Sequence, residues 1–119
     1  MRVFARDDMI TILSKAMDGL SVRHQVIADN IANVDTPGFK AGDVRFEEEL
    51  SSAIALGKPE SAKPVIHKYT GKIRADGNSV DIDMENAKLA ETTILYSAMS
   101  RLISQKFSML RTVITEGRR

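Results

Sequence analysis

Residues 30–41 read NIANVDTPGFKA, and the reading of this stretch decides the fold. An apolar, helix-like segment leads into it. Asn33, Asp35, Thr36, Pro37 and Gly38 then follow closely, with Phe39 and Lys40 just beyond. Pro37 presets φ at the second position of a turn, and Gly38 supplies the positive φ that a type II turn needs at the third. Thr36, as the residue before a proline, is pushed out of the helical region. A helix therefore stops near Asn33 or Val34, and Phe39 is thrown clear of its axis. Turn chemistry alone leaves two readings open, a plain helix stop and a docking loop.

Ahead of the stop, apolar residues fall at Ile10, Leu13, Met17, Leu20, Ile27, Ile31 and Val34, with His24 the polar position in the same register. Alternation of three and four is the seam of a coiled coil. Asp7 or Asp8 can cap this helix, because a short carboxylate accepts from orphan N–H groups. Gly19 lies inside the pattern and should cost up to about 1 kcal/mol relative to Ala. The rest of the helix is polar, so the expectation is one apolar stripe and no second packing surface.

Beyond the stop the pattern changes. Residues 46–57, FEEELSSAIALG, form a short amphipathic helix with Phe46, Leu50 and Ala53 or Ile54 on one face, stopped by Gly57 and Pro59. Residues 65–69 and 72–75 suit strands, with Thr70-Gly71 able to turn the chain between them into a hairpin. Asp76, Gly77 and Asn78 are a further turn signal, since Gly and Asn accept positive φ.

Helical spacing returns from about residue 83 to 114. Asp81, Asp83 and Glu85 stand at its start, and Lys106 and Arg111 near its end, as the helix dipole favours. Tyr96, Met99, Ile103, Phe107, Leu110 and Ile114 make one stripe; Leu95, Ala98, Leu102, Met109 and Val113 make a second beside it. One partner helix cannot cover so wide an arc. The expected fold is mainly α: two long terminal helices packing as a coiled-coil-like pair, with a short irregular middle holding a small helix and room for a β-hairpin. The divisions are 1–34, 35–82 and 83–119.

A chain of 119 residues is one domain at most. Its net charge of +1 gives no electrostatic footprint for nucleic acid. Absence of cysteine excludes disulfides and thiolate metal sites. The start, MRVFARDDMITIL, breaks its apolar run with Arg6, Asp7 and Asp8, so no cleaved secretory leader is expected. No stretch approaches the roughly 18 apolar residues of a membrane span. Burying a Leu-sized side chain contributes about 1.5–3 kcal/mol, whereas ordering each residue costs roughly 1.5 kcal/mol. Two helices without a third layer come out near zero. A lone monomer is expected to be partly disordered, with its wide stripe covered by other copies or other proteins.

Few residues suggest chemistry. Asp81, Asp83 and Glu85 in DIDME offer hard-metal ligands, but they lack the glycine and spacing of a calcium loop. They read instead as a strand end, with Val80, Ile82 and Met84 inward, leading into an acid-rich helix start. His24 sits in a helix seam, where a polar residue sets register or partner choice; His67 lies in a polar segment. Neither has neighbours that suggest a triad. FEEEL reads as a solvated helix face. No catalytic, cofactor or metal residues are assigned.

The whole motif adds a resemblance. IADNIANVDTPGFKA resembles the N-terminal signature of the bacterial flagellar rod and hook proteins, the axial proteins of the flagellum, on Asn30, Ile31, Ala32, Asn33, Thr36, Pro37, Gly38 and Phe39. Residues 76–114 resemble the C-terminal part of a proximal rod subunit, in which Asp-Gly-Asn-x-Val-Asp precedes the last helix. Other axial proteins usually carry Arg-x-Tyr-x-Ala-Asn there, where this chain has ILYSAMSRL.

The resemblance implies a structural, non-enzymatic subunit that polymerises through its terminal helices to help form the drive shaft. Residues 1–34 and 83–119 would be its axial core. Subunit packing would fall on Ile10, Leu13, Met17, Leu20, Ile27, Ile31, Leu95, Tyr96, Met99, Leu102, Ile103, Leu110 and Val113. The implied partners are other copies, other rod subunits, the membrane ring and its adaptor protein at the rod base, and the type III export apparatus. Neither nucleic acid nor a cofactor is implied. The implied place is the periplasmic rod of the basal body, reached without a cleaved signal peptide, and the turn would aim Phe39 and Lys40 at an adjacent subunit. Alternatives are another proximal rod subunit, a small helical adaptor for a partner's amphipathic helix, and a metal-dependent hydrolase using DIDME.

Overall fold

Two helices set the long axis: α1, Asp8–Ala32, and α3, Ile82–Glu116. The computed structural model describes residues 8–69 and 71–117. Between the helices come β1, Gly42–Arg45, then α2, Glu47–Ala55, a 3₁₀ turn at Pro59–Ser61, and β2, Val65–Lys68. The pair runs antiparallel: Asn30 meets Glu85, His24 meets Thr93, and Leu20 packs by Leu95 and Met99. The molecule measures 69 × 27 × 14 Å, with a radius of gyration of 18.6 Å. A compact domain of this length would have a radius near 13–14 Å, so much of α3 stands outside any core.

Asp8, the first described residue, is already helical, and Asp7, the other expected cap, lies outside the described residues. The expected seam is present, with Leu13, Leu20 and Ile27 buried. The expected lack of a second surface is overturned. Ala16, Val22 and Val26 pack with Leu20 on Val44 and Phe46, and Ile12 and Ala16 pack on Leu50, Ala53 and Ala62. Small residues interrupt this surface. A Cβ on Gly19 would lie 2.4 Å from Phe46 Cγ, so the helix-weakening glycine is the seat of an aromatic ring. The middle of the chain is thus packed on α1 and supplies the layer that two helices alone lack.

β1 and β2 pair antiparallel, with Gly42 opposite Lys68 and Arg45 opposite Val65. The strand expected at 65–69 is there, but its expected partner at 72–75 is not a strand. The inner edge of β1 is occupied by α1 side chains: Asn30 exchanges hydrogen bonds with both the N–H and the C=O of Gly42, and Arg23 donates to the Val44 carbonyl. That anchoring favours β1 over a local hairpin as the partner for residues 65–68. α2 buries Leu50 and Ala53, while Ile54 is 43% exposed.

Asp81 caps α3, its Oδ1 accepting from the N–H groups of Asp83 and Met84 at 3.1 and 3.2 Å. The expected inward alternation fails. Val80 is buried, but Ile82 and Met84 are exposed and Glu85 is the residue that turns in, because the backbone is already helical at Ile82.

Candidate functional site

Residues 30–41 form a junction where the end of α1, the start of β1 and the loop before α3 are tied together. Asn33 sits just past the last turn of α1. Its Nδ2 donates to Asp29 O at 2.8 Å, and its Oδ1 accepts from Thr36 Oγ1 at 3.1 Å. The turn itself closes as expected: Gly38 has φ +76°, and Phe39 N–H donates to Thr36 O at 3.2 Å. Gly38→Val should open this turn, because a β-branched side chain resists positive φ; loss of swimming with normal chain levels is the expected readout.

The second loop is moulded to the first. Gly38 N–H donates to Asp76 O at 2.9 Å, and a Cβ on Gly77 would lie 3.2 Å from Gly38 Cα. Asn78 is wholly buried between them. Its Nδ2 donates to Asn33 O at 2.8 Å, Val34 O at 3.2 Å and Thr36 O at 2.7 Å. Its Oδ1 accepts from Val80 N–H at 2.7 Å. One side chain thereby gives a further donor to carbonyls where α1 stops, and fixes the approach to α3. Ser79 N–H donates to Phe39 O, and Ser79 Oγ accepts from Ala41 N–H. Arg74 Nη2 also donates to Val34 O.

Asn30 and Glu85 complete the junction. Both are buried, and Asn30 Nδ2 donates to Glu85 Oε2 at 3.0 Å. Lys88 Nζ stands 3.7 Å from the same carboxylate and 3.8 Å from Asp43. Farther along α1, Arg23 forks onto Glu47 with both amino groups, at 2.9 and 3.0 Å, and lies 4.7 Å from the centre of the Phe46 ring. Partial burial tends to raise the Glu47 pKa, but hydrogen bonds and charge from Arg23, with local backbone N–H groups, outweigh it and hold the carboxyl below its usual value.

The motif residues anticipated from sequence divide by burial. Asn30 is buried; Ile31, Asn33 and Phe39 are half-buried; Ala32, Thr36, Pro37 and Gly38 are exposed. Lys40 was expected to point at a neighbour. Its Nζ instead donates to Gly77 O, so it braces the chain's own loop. Phe39 lies under Lys68, whose Nζ is 5.7 Å from the ring centre. Asp81, Asp83 and Glu85 diverge into a cap, an exposed side chain and a buried junction residue. Among the described residues no cluster of His and carboxylates suited to a metal ion is found. Among those residues, no helix is long and apolar enough to cross a membrane.

Asn78, Glu85, Gly19 and Arg23 were not anticipated as structural keys. Counting back from Leu95 by threes and fours through Thr92 and Lys88 reaches Glu85, so its seam position was readable.

Residues 10–40, which cover most of α1 and its turn, match the family model described as flagella basal body rod protein. The chain is 33% identical to the flagellar basal body rod protein FlgB of Borrelia hermsii, over 88% of this chain and 94% of that protein. It belongs to the FlgB family. The FlgB of Bacillus subtilis is 29% identical, over 89% of this chain and 92% of that one. The FlgB of Salmonella typhimurium is 24% identical, over 93% and 96%. As a FlgB-family protein, the chain is a structural subunit of the flagellar basal body rod. The junction built on Asn30, Asn33 and Asn78 is the internal frame that sets its two long helices side by side.

Proposed function

We propose that the chain works at the proximal end of the rod and is built into it by its two terminal helices. The observation that carries this reading is the far end of α3. Phe107, Met109, Val113 and Ile114 are each more than half exposed, on more than one face of the helix. Leaving so much apolar side chain in water is unfavourable by about 25 cal/mol per Å², and neighbouring subunits would remove it. On this reading residues 1–34 and 83–119 are the axial core, and residues 35–82 brace them. Leu102, Leu110 and Val113 would meet neighbours, while Leu13, Leu20, Ile27, Leu95 and Met99 hold the chain's own fold. Tyr96, with its ring centre 6.5 Å from that of His24, lies at the border between the two sets.

The same reading sends the chain through the flagellar type III apparatus to the periplasm without a cleaved leader. It would stand there beside the membrane ring and its adaptor protein. Deleting the gene should leave cells without flagella, and restoring it should bring them back; flagellated deletion cells would overturn the reading.

Two neighbouring substitutions separate the faces. Ile103 is half-buried, whereas Leu102 is 46% exposed. Ile103→Asp should destabilise the free chain, since burying an unpaired carboxylate costs several kcal/mol. Leu102→Asp should leave the free chain within about 0.5 kcal/mol of the parent and block rod formation. Urea unfolding and counts of flagella read the two effects.

A further inference from the structure

An apolar cleft of about 360 Å³ opens between α2 and α3. Leu20 of α1 lies at its floor with Phe46; Leu50 and Ile54 form one wall, Leu95 and Met99 the other. The principal core cluster therefore reaches solvent through this opening. We infer that the cleft receives the far end of α3 from a second copy of the chain. The inference rests on the rod reading above and names the surface through which one copy would hold the next.

Both halves of such a contact are present on one chain. Phe107, Leu110 and Ile114 are three and four apart, so they share a helix face, and all are exposed. A helix face of that kind fits an apolar groove between two others. Charge agrees with shape. Next to the cleft, the adjoining hollow that shares Glu47 carries Asp43, Glu47, Glu48 and Glu91 against Arg23, Arg45 and Lys88. Arg23 is paired with Glu47, and Lys88 lies near Asp43 and Glu85, which leaves Glu48 and Glu91 exposed against Arg45 alone. The far end of α3 carries Arg101, Lys106 and Arg111 against Glu116 alone over residues 101–117. Arg111 lies one turn from Phe107 and Ile114, at the border of the apolar face, where it would meet the acidic rim. Because cleft and helix end are different surfaces, each contact leaves one of each unused. A contact of that kind grows into a filament unless its rotation closes into a ring.

The chain has no cysteine, which makes the contact directly testable. Two single-cysteine chains of different length, Ile54→Cys and Leu110→Cys, are produced together in cells lacking the natural gene, and isolated basal bodies are oxidised. The expected product is a mixed disulfide dimer that neither variant forms alone. Leu110→Cys homodimers as the main product, or no mixed dimer with both chains present in basal bodies, would overturn the contact. A second arm needs no cysteine. Glu48→Lys should lower rod incorporation several-fold, and adding Arg111→Glu should restore it; losses that add instead of compensating would also overturn the contact. Incorporation of the unmodified chain is scored in parallel. Its failure would remove the rod reading itself, whereas normal incorporation without the mixed dimer removes only the contact.

Discussion

Gly19→Ala is expected to destabilise the free chain by about 1–3 kcal/mol, the usual cost of overpacking a filled core. Helix propensity alone argues the opposite sign, a gain close to 1 kcal/mol. Steric contact decides, because the new methyl group would sit 2.4 Å from Phe46 Cγ, and Phe46 is buried and held beneath Arg23. The double variant checks the mechanism. Phe46→Ala should cost about 3–5 kcal/mol by itself, and in that background Gly19→Ala should become neutral or stabilising. Coupling of this sort is what residues in direct contact show. Urea unfolding of the four chains gives the cycle; a higher urea midpoint for Gly19→Ala alone would contradict the packing of α1 on the middle segment.

Asn78→Asp is expected to be more damaging than Asn78→Ala. Alanine removes a buried side chain that donates to three carbonyls and accepts from one N–H. Val80 N–H is left without its acceptor, which costs about 1–3 kcal/mol. The three carbonyls keep their other donors from Thr36, Arg74 and Phe39. A loss of roughly 2–4 kcal/mol, including the lost packing, is expected. Aspartate keeps the acceptor for Val80 N–H but turns a negative charge toward the carbonyls of Asn33, Val34 and Thr36. It should therefore unfold the junction, with fast amide exchange at residues 76–80 and loss of swimming. An aspartate variant as stable as the parent would mean that Asn78 is not the clamp.

Parts of this fold were legible in the sequence because they depend on local backbone chemistry. Gly38 at φ +76° and the Asp81 cap follow from what single residues allow. The two long helices follow from spacing. Other parts depend on distant contacts that leave weak local marks. β1 reads Gly-Asp-Val-Arg, without a strand pattern, and is a strand because Asn30 and Arg23 hold its inner edge. Its pairing with residues 65–68 accordingly displaced the nearer segment 72–75 as partner. The second surface of α1 was hard to see because Ile12, Val22 and Val26 are interrupted along it by Ala16, Gly19 and Arg23, so no continuous apolar stripe shows. Glu85 was read by its charge, which suits a helix start, whereas its place in the seam put it inside. The same distinction applies to α3: spacing gave its apolar arc, but only the packed structure shows which part of that arc is buried and which is exposed.

The central claim is that the far end of α3 is completed by neighbouring subunits of the rod. Amide hydrogen exchange on the dilute chain and on isolated basal bodies tests it most directly. Residues 107–116 should exchange rapidly in the free chain, slowly in the rod, and more rapidly in the free chain than residues 85–99, which α1 and the junction cover. Equal protection of residues 107–116 in the two states would contradict the account.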